Sequence, residues 1–235
     1  MVAQEIEKVD KELIAKRGDG TRYALVLAGL ELFGEYGLKG TSTRMLSKHS
    51  GANVSAIPYY FGSKEGLYRA VVEYIVERIS VHTGEVRSQL QETLSRGPLT
   101  PQQAGEALKK MFTAMAHLFV ESDEPKTWAR IMVREQANPT PAFDIFYEKQ
   151  MRPIQNMMTQ LIAAYTGLNP DGDEIKIRGH ALIGQMLGFL IARESILRHL
   201  GVRKLTHEHA ELIHKVVLTN IKNCLEVLRL REPHS

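Results

Sequence analysis

The sequence predicts an all-α fold of about nine helices, three of them in a small N-terminal domain. Apolar residues recur at helical spacing along most of the 235 residues, and no segment alternates strictly over the length of a strand. Hydroxyl or amide caps precede the apolar runs, and Gly or Pro follows them. These observations together favour helices throughout the chain.

The chain begins with residues 1–18, which carry mixed charge and predict a frayed helix or a disordered arm. The first clear helix is expected from Asp19 or Thr21 to Tyr36, because its apolar residues fall on one face. Gly37 is the expected C-cap of this helix.

Two short helices then follow around a glycine turn. Thr41 and Ser42 provide a hydroxyl N-cap for a helix to about His49, which Gly51 ends. Asn53 can cap a second helix, residues 54–60, and Gly62 breaks the chain after it. Two short helices joined in this way are the helix-turn-helix pattern, whose second helix enters the DNA major groove. We therefore predict a DNA-binding domain over residues 19–66.

The charge of this stretch agrees with that prediction. Residues 36–64 contain four basic residues and no Asp or Glu, whereas the whole chain has a net charge of +3. The alternative, a solvated basic face, is less consistent with the helix-turn-helix spacing. The residues expected to hold the DNA backbone are Thr41, Ser42, Arg44, Tyr60 and Lys64. The residues expected to face the bases are Asn53, Ser55, Ala56 and Tyr59.

A second domain is predicted over residues 67–235. Ser63 caps a helix that starts at Lys64 in the first domain, enters the second and ends before Gly97-Pro98. Caps and breaks then delimit the remaining helices. Their expected bounds are residues 100–120, a start at Ser122 or Asp123 to about 137, 140–165 with a bend at Pro153, 171–200 and 206–230.

The N-terminal stretch resembles the DNA-binding domain of the TetR/AcrR family of bacterial transcriptional repressors over about residues 21–68. The resemblance spans three helices in order. It rests on Leu30, Leu32, Phe33, Gly37, Thr41, Arg44, Gly51, the run Tyr59-Tyr60-Phe61-Gly62-Ser63-Lys64-Glu65, and Leu67.

The recognition helix departs from the family pattern at Pro58. Many members carry a Gly-Thr-hydrophobic-Tyr run where this chain has Ser55-Ala56-Ile57-Pro58. A proline inside a short helix removes a backbone donor and clashes with the preceding turn. We therefore expect a kinked or very short recognition helix.

The last two helices are where subunits are expected to meet. Gly184, Gly188 and Ala192 form a stripe of small residues, and glycine in a helix interior usually indicates close approach of another helix. The final helix repeats apolar residues, so the two helices fit a four-helix bundle with a second copy. Packing inside one subunit is the alternative. The resemblance to the TetR family implies the dimer, for which the expected interface residues are Gly184, Gly188, Ala192, Val217, Ile221, Cys224 and Leu228.

The middle of the chain is rich in methionines and aromatic residues. Such residues fill cores as readily as they line pockets, but the family resemblance implies an effector pocket in this domain. Arg130, Arg134 and Arg193 lie in apolar runs and either form internal salt bridges or hold an acidic group of a ligand. The run REQANPTPAF is similar to the CecR-like branch. The residues expected to contact an effector are Met111, Met115, Trp128, Arg134, Phe146, Tyr147, Met158, Phe189 and Arg193.

Other functions are not favoured by the sequence. No apolar run approaches the roughly 18 residues of a membrane span, and the charged first residues do not fit a signal peptide, so we expect a cytoplasmic protein. Cys224, the single cysteine, fits a reducing compartment and precludes a cysteine-based zinc cluster. His207, His209 and Glu211 are expected to be solvated rather than to bind a metal. No nucleophile elbow or phosphate-binding glycine loop occurs, and no cofactor is predicted.

The sequence thus predicts a one-component transcriptional repressor. It would bind a palindromic double-stranded DNA operator as a homodimer and be released by a small-molecule effector, without catalysis. Two alternatives stay open. One is an all-α small-molecule binding protein, or more remotely an enzyme, whose N-terminal domain no longer reads DNA. The other is an activator on the same scaffold.

Overall fold

A computed structural model of the chain describes residues 20–121 and 125–229. All regular structure in these two ranges is helical, which confirms the all-α prediction. The predicted N-terminal arm, residues 1–18, lies outside the described residues, as does the helix start predicted at Ser122 or Asp123.

The described helices follow one another with short connections. In chain order they are α1 (Gly20–Gly40), α2 (Thr43–Ser50), α3 (Ala56–Phe61), α4 (Lys64–Ser95), α5 (Pro101–Ala116), α6 (Pro125–Ala137), α7 (Pro141–Phe146), α8 (Arg152–Thr166), α9 (Asp173–Ile191), α10 (Arg193–Leu200) and α11 (His207–Arg229). Two π-helical segments, His117–Glu121 and Tyr147–Met151, extend α5 and join α7 to α8.

The chain divides into two compact units. Among the described residues, the first unit comprises 20–81 and 126–149, so it contains α1 to α3, the start of α4, and nearly all of α6 with α7. Its centre is formed by fully buried side chains from α1, α2, α3 and α4, among them Phe33, Leu46, Ile57 and Leu67. This core fixes the two short helices on one side of α1 and α4.

The second unit comprises the described part of 82–125 together with 150–229. Its core is built by α5, α8, α9 and α11, with Phe112, Met158, Leu161, Met186 and Ile221 buried together. Each of these helices turns an apolar face towards this core.

Several helix boundaries differ from those predicted. The expected helix over residues 171–200 is divided, because Ala192 leaves the helical conformation at φ −97° and ψ 29°. Gly37 likewise leaves the helical conformation inside α1, at φ 72°, and ends its regular part after Tyr36 as expected. In the described ranges, no helix combines the length and apolarity needed to cross a membrane.

Candidate nucleic-acid interface

The recognition helix α3 begins two residues later than the sequence suggested. The Oδ1 atom of Asn53 accepts hydrogen bonds from the Ser55 backbone N–H and from its hydroxyl, both at 3.0 Å. The Ala56 N–H donates to the carbonyl oxygen of Asn53 at 2.9 Å. Asn53 therefore closes a local turn, and the helix starts at Ala56.

This later start changes the consequence of Pro58. Proline is the third residue of α3, in the first turn, where a backbone N–H has no partner within the helix. The carbonyl of Pro58 still accepts from the Gly62 N–H at 3.0 Å. The helix is short, as expected, but it avoids the clash expected of proline deeper in a helix.

Contacts on the inner side of α3 fix the orientation of the helix. Ile57 is buried, and the Arg22 guanidinium from α1 lies 5.1 Å above the ring of Phe61. Tyr59 is 80% exposed, and its ring meets that of Tyr60 edge to face at 4.8 Å. The inner contacts thus fix the orientation of a helix whose outer face presents polar and aromatic groups.

The N-terminal part of α2 also presents polar and basic groups to solvent. Ser42 caps α2, its hydroxyl accepting from the Met45 N–H at 3.2 Å, and Arg44 and Lys48 are exposed. Gly51 ends the helix in the left-handed conformation, at φ 70°. The capped helix end and two exposed cations suit the phosphate oxygens of a nucleic-acid backbone.

Thr41 does not face solvent, contrary to what its predicted role requires. It is 1% exposed, and its hydroxyl donates to the carbonyl oxygens of Gly37 at 2.8 Å and Leu32 at 3.1 Å. The side chain instead secures the turn between α1 and α2. A buried hydroxyl with these partners is explained by the fold alone.

Lys64 has a structural role that its sequence position did not reveal. Its Nζ donates to the carbonyl oxygens of Leu38 at 2.8 Å and Thr41 at 2.9 Å, while the side chain stays partly exposed. An ammonium group has three donors, so one remains for an acceptor outside the protein. Lys64 therefore stabilises the turn before α2 from the first residue of α4.

The junction between α3 and α4 is tight. The Ser63 hydroxyl accepts from the Gly66 N–H at 3.1 Å and caps α4 as predicted. A Cβ atom on Gly66 would overlap the carbonyl oxygen of Phe61, the last residue of α3. The pKa of the exposed Glu65 carboxyl is lowered, mainly by a hydrogen bond with its own backbone N–H and next by one with the Ser63 hydroxyl. Glu65 therefore stays charged at the positive end of the helix dipole.

A second set of contacts in the first unit was not predicted. The guanidinium of Arg134 on α6 donates to the Glu35 carbonyl at 2.8 Å and lies against Gly37, where a Cβ would come within 2.8 Å of it. The neighbouring Glu135 is buried and bonded to Tyr68 and Thr140. The sequence signal for these contacts was the charged pair Arg134-Glu135 inside an apolar run. That signal did not indicate which partners the two side chains would have.

The residues expected to bind an effector are divided between the two units. Trp128, Arg134, Phe146 and Tyr147 belong to the first unit, and the other five to the second. Met111, Met115 and Met158 are buried in the core of the second unit, and Phe189 packs against that core. Their surroundings are those of a packed interior.

The residues expected at a dimer interface also separate into two groups. Val217, Ile221 and Leu228 are buried within their own subunit, because they form the core face of α11, and Cys224 is partly buried beside them. Gly184, Gly188 and Ala192 are exposed. A Cβ on either glycine would meet nothing within 4 Å, so this side of α9 is open.

His207 at the start of α11 is exposed, with its Nε2 lying 3.4 Å from Glu211, and His209 is partly buried, with its Nδ1 lying 2.8 Å from the Thr206 hydroxyl. Over the described residues, no group of three or more potential ligands is arranged to hold a metal ion.

Comparison with known proteins matches both parts of the chain. Residues 25–71 match the model of the bacterial regulatory proteins, tetR family, and residues 104–227 match the C-terminal domain of the HTH-type transcriptional dual regulator CecR. CecR of Shigella flexneri is 33% identical over 218 residues, which are 92% of this chain and 96% of that protein.

Solved structures with the same fold are more distant in sequence. A transcriptional regulator from Rhodococcus sp. Rha1 has a TM-score of 0.58 at 18% identity, covering 90% of this chain and 99% of that one. SCO4454, a TetR-family transcriptional regulator from Streptomyces coelicolor, has a TM-score of 0.58 at 16% identity, covering 93% and 95%. At these identities the likeness concerns the fold alone.

Proposed function

Because the chain belongs to the TetR family of bacterial transcriptional regulators, with a C-terminal domain of the CecR type, we propose that it is a homodimeric repressor. Two copies bind a palindromic DNA operator, and a small-molecule effector releases them. The protein works in the cytoplasm, where the operator is accessible, and this cycle needs no catalytic step.

The observation that carries this proposal is the basic surface of α2, α3 and Lys64, a stretch of chain without acidic residues. Residues 36–64 hold four basic residues and no acidic ones, and Arg44, Lys48 and Tyr59 are exposed. Neutralising phosphate charge supplies much of the affinity for DNA. A predominantly basic surface around an exposed short helix suits a duplex groove.

Two sets of residues on this surface have different roles. Ser42, Arg44, Tyr60 and Lys64 contact phosphates, and Asn53, Ser55, Ala56 and Tyr59 face base edges. We omit Thr41 from the first set, because its buried hydroxyl is already bonded inside the protein. Since Asn53 accepts through Oδ1, its amide group is the donor left for a base.

The proposed dimer uses the exposed apolar sides of α9 and α11. On α9, Ile177, Ala181, Gly184, Gly188 and Ile191 repeat every three or four residues on the side opposite the core, and the two isoleucines are 68% and 56% exposed. On α11, Leu212, Val216 and Val227 are exposed on a common side. An unpartnered apolar stripe with glycines at its centre suits close packing against the same stripe of a second copy.

Effector release follows from linkage between two sites. An effector that binds better when the two DNA-binding units are wrongly spaced shifts the population away from the operator-bound state. The half-sites read by a symmetric helix-turn-helix dimer lie about 34–36 Å apart, so a small change in spacing is sufficient.

A mobility-shift assay with the palindromic sequence beside the protein's own gene tests DNA binding. We expect a shifted band whose affinity falls steeply as salt rises. An absence of salt-sensitive binding would favour the alternative, a helical small-molecule binding protein that no longer reads DNA.

Activation of transcription is the second candidate, because the relative from Shigella flexneri is a dual regulator by name. A reporter placed behind the operator in a deletion strain separates the two. Repression predicts that output rises when the gene is removed, and activation predicts that it falls.

A further inference from the structure

A groove of about 800 Å³ opens on the second unit between α5, the end of α8 and α11. Its floor is formed by Leu108, Phe112, Ile221 and Leu225, all buried. Binding sites for small organic molecules typically have volumes of about 300–1,000 Å³ and apolar linings. The groove is therefore large enough for a small ligand with an apolar body.

Charged side chains surround this apolar floor unequally. Lys109, Lys222 and Arg229 line the groove with one acidic residue, Glu106. Lys222 Nζ lies 3.6 Å from Glu226 on the exposed surface of α11, a contact that water weakens. The rim is thus positively charged, and an anionic group on a ligand would be complementary to it.

One wall of the groove is an aromatic ring held in place from two sides. The ring of Tyr165 lies against α5 at Gly105, where a Cβ would approach Cε2 to 3.0 Å. The Arg229 guanidinium lies 5.7 Å from the centre of the same ring. Gly105 therefore lets Tyr165 pack close to α5, and Arg229 places a cation beside the same ring.

The groove is separate from the surface proposed for dimerisation. On α11, its residues Leu218, Lys222, Leu225 and Arg229 recur every three or four positions along one side of the helix. The exposed Leu212, Val216 and Val227 follow another side. A second copy packed on that other side would leave the groove open.

We propose that this groove binds an amphipathic organic anion, with its apolar body against Leu218 and Tyr165 and its acidic group at Lys109 and Lys222. The inference rests on the proposed function only in naming such a ligand as the effector. In this proposal the groove is the sensing site, in place of the buried Met111, Met115 and Met158.

A pair of fluorescent dyes tests the site in the absence of DNA, so its result does not depend on operator binding. The dye 8-anilinonaphthalene-1-sulfonate has an aromatic body and a sulfonate, and N-phenyl-1-naphthylamine has the same body without the charge. The combined change Lys109→Gln and Lys222→Gln should weaken binding of the sulfonate dye about tenfold, because hydrogen bonds to charged groups contribute at least that much to affinity. The affinity of the neutral dye should not change.

Two further variants complete the experiment. Arg203→Gln with Lys204→Gln removes the same charge from an exposed segment outside the groove and should leave both dyes unaffected. Thr219→Trp places a large ring in the groove from an exposed position and should weaken both dyes. The proposal is overturned if the intact protein shows no saturable binding of the sulfonate dye. It is equally overturned if either groove variant binds that dye as well as the intact protein.

Discussion

The phenol of Tyr68 on α4 donates a 2.7 Å hydrogen bond to Oε1 of Glu135 on α6, and both side chains are buried. Thr140 completes the site, with its N–H donating to Oε2 at 3.0 Å and its hydroxyl lying 3.1 Å from both oxygens. The Tyr68 ring also meets Phe33 of α1 edge to face at 5.0 Å. This cluster fastens the α6–α7 corner to α1 and α4, which support the proposed DNA-binding surface within the first unit.

Tyr68→Phe should lower the free energy of unfolding by about 2 kcal/mol, because it removes a donor from a buried carboxylate and keeps the ring. Urea unfolding followed by circular dichroism measures the change. Tyr59→Phe is the matched control, since Tyr59 is 80% exposed and its hydroxyl contributes little to stability. Equal stabilities for the two variants would contradict a structural role for the bond.

The same pair predicts a dependence on alkaline pH. Burial, followed by the hydrogen bond to Glu135, raises the pKa of Tyr68. Below about pH 10, the phenol is protonated in both the folded and the unfolded chain, so its contribution is complete. Above that pH, the unfolded chain loses the proton and the folded one keeps it, so the folded state is destabilised by up to about 1.4 kcal/mol per pH unit.

The stability advantage of the wild type over Tyr68→Phe should therefore shrink as the pH rises above about 10. Urea unfolding of both proteins across that range measures it, and the other titrating groups cancel in the difference. Parallel profiles for the two proteins would show that Tyr68 ionises equally in both states.

Gly66→Ala should displace the recognition helix. The added methyl group overlaps the Phe61 carbonyl, so α3 must move away from the first turn of α4. We expect weaker binding to every DNA sequence in mobility shifts and a loss of stability of about 1–3 kcal/mol.

Gly84→Ala is the control on the same helix, because a Cβ there meets nothing within 4 Å. It should stabilise the protein by about 0.5–1 kcal/mol through helix propensity and leave DNA affinity unchanged. Similar effects from the two alanines would mean that the α3–α4 junction tolerates the methyl group.

Lys64→Ala should weaken binding to all DNA sequences about equally and also lower the stability of the fold. Its Nζ bonds the carbonyls of Leu38 and Thr41, and losing both should reduce the free energy of unfolding by about 1–2 kcal/mol. Lys39→Ala removes the same charge from an exposed position and should leave stability unchanged. A change in the preferred sequence with Lys64→Ala would argue against a phosphate contact.

Local signals in the sequence were enough to predict the helix-turn-helix. Ser42, Gly51 and Ser63 act as caps or terminators where the sequence placed them, because capping depends on residues only three positions apart. Tertiary partners were not accessible in this way. Thr41 and Lys64 are polar residues in a basic stretch, and only the fold shows that their side chains bond backbone carbonyls inside the protein.

The final helix shows a different limit. Apolar residues occur on two sides of α11, with Val217 and Ile221 in the core and Leu212, Val216 and Val227 outside. A periodic pattern identifies an apolar side but does not say which of two such sides meets the subunit's own core. The set of residues expected between subunits therefore included core positions, whereas the glycines of α9 lie on an open side.

Gly184→Arg combined with Gly188→Arg should convert the protein from a dimer to a monomer. Both glycines are exposed at the centre of the α9 stripe, and long charged side chains there would hold a second helix away. Arginine is a better helix former than glycine, so unfolding of α9 would not explain a loss of association. Sedimentation velocity measures the oligomeric state, and the monomer should bind the full operator far more weakly than the dimer. Gly84→Arg introduces the same side chain on α4 and should leave the dimer intact; if the double variant still sediments as a dimer, the subunits meet elsewhere.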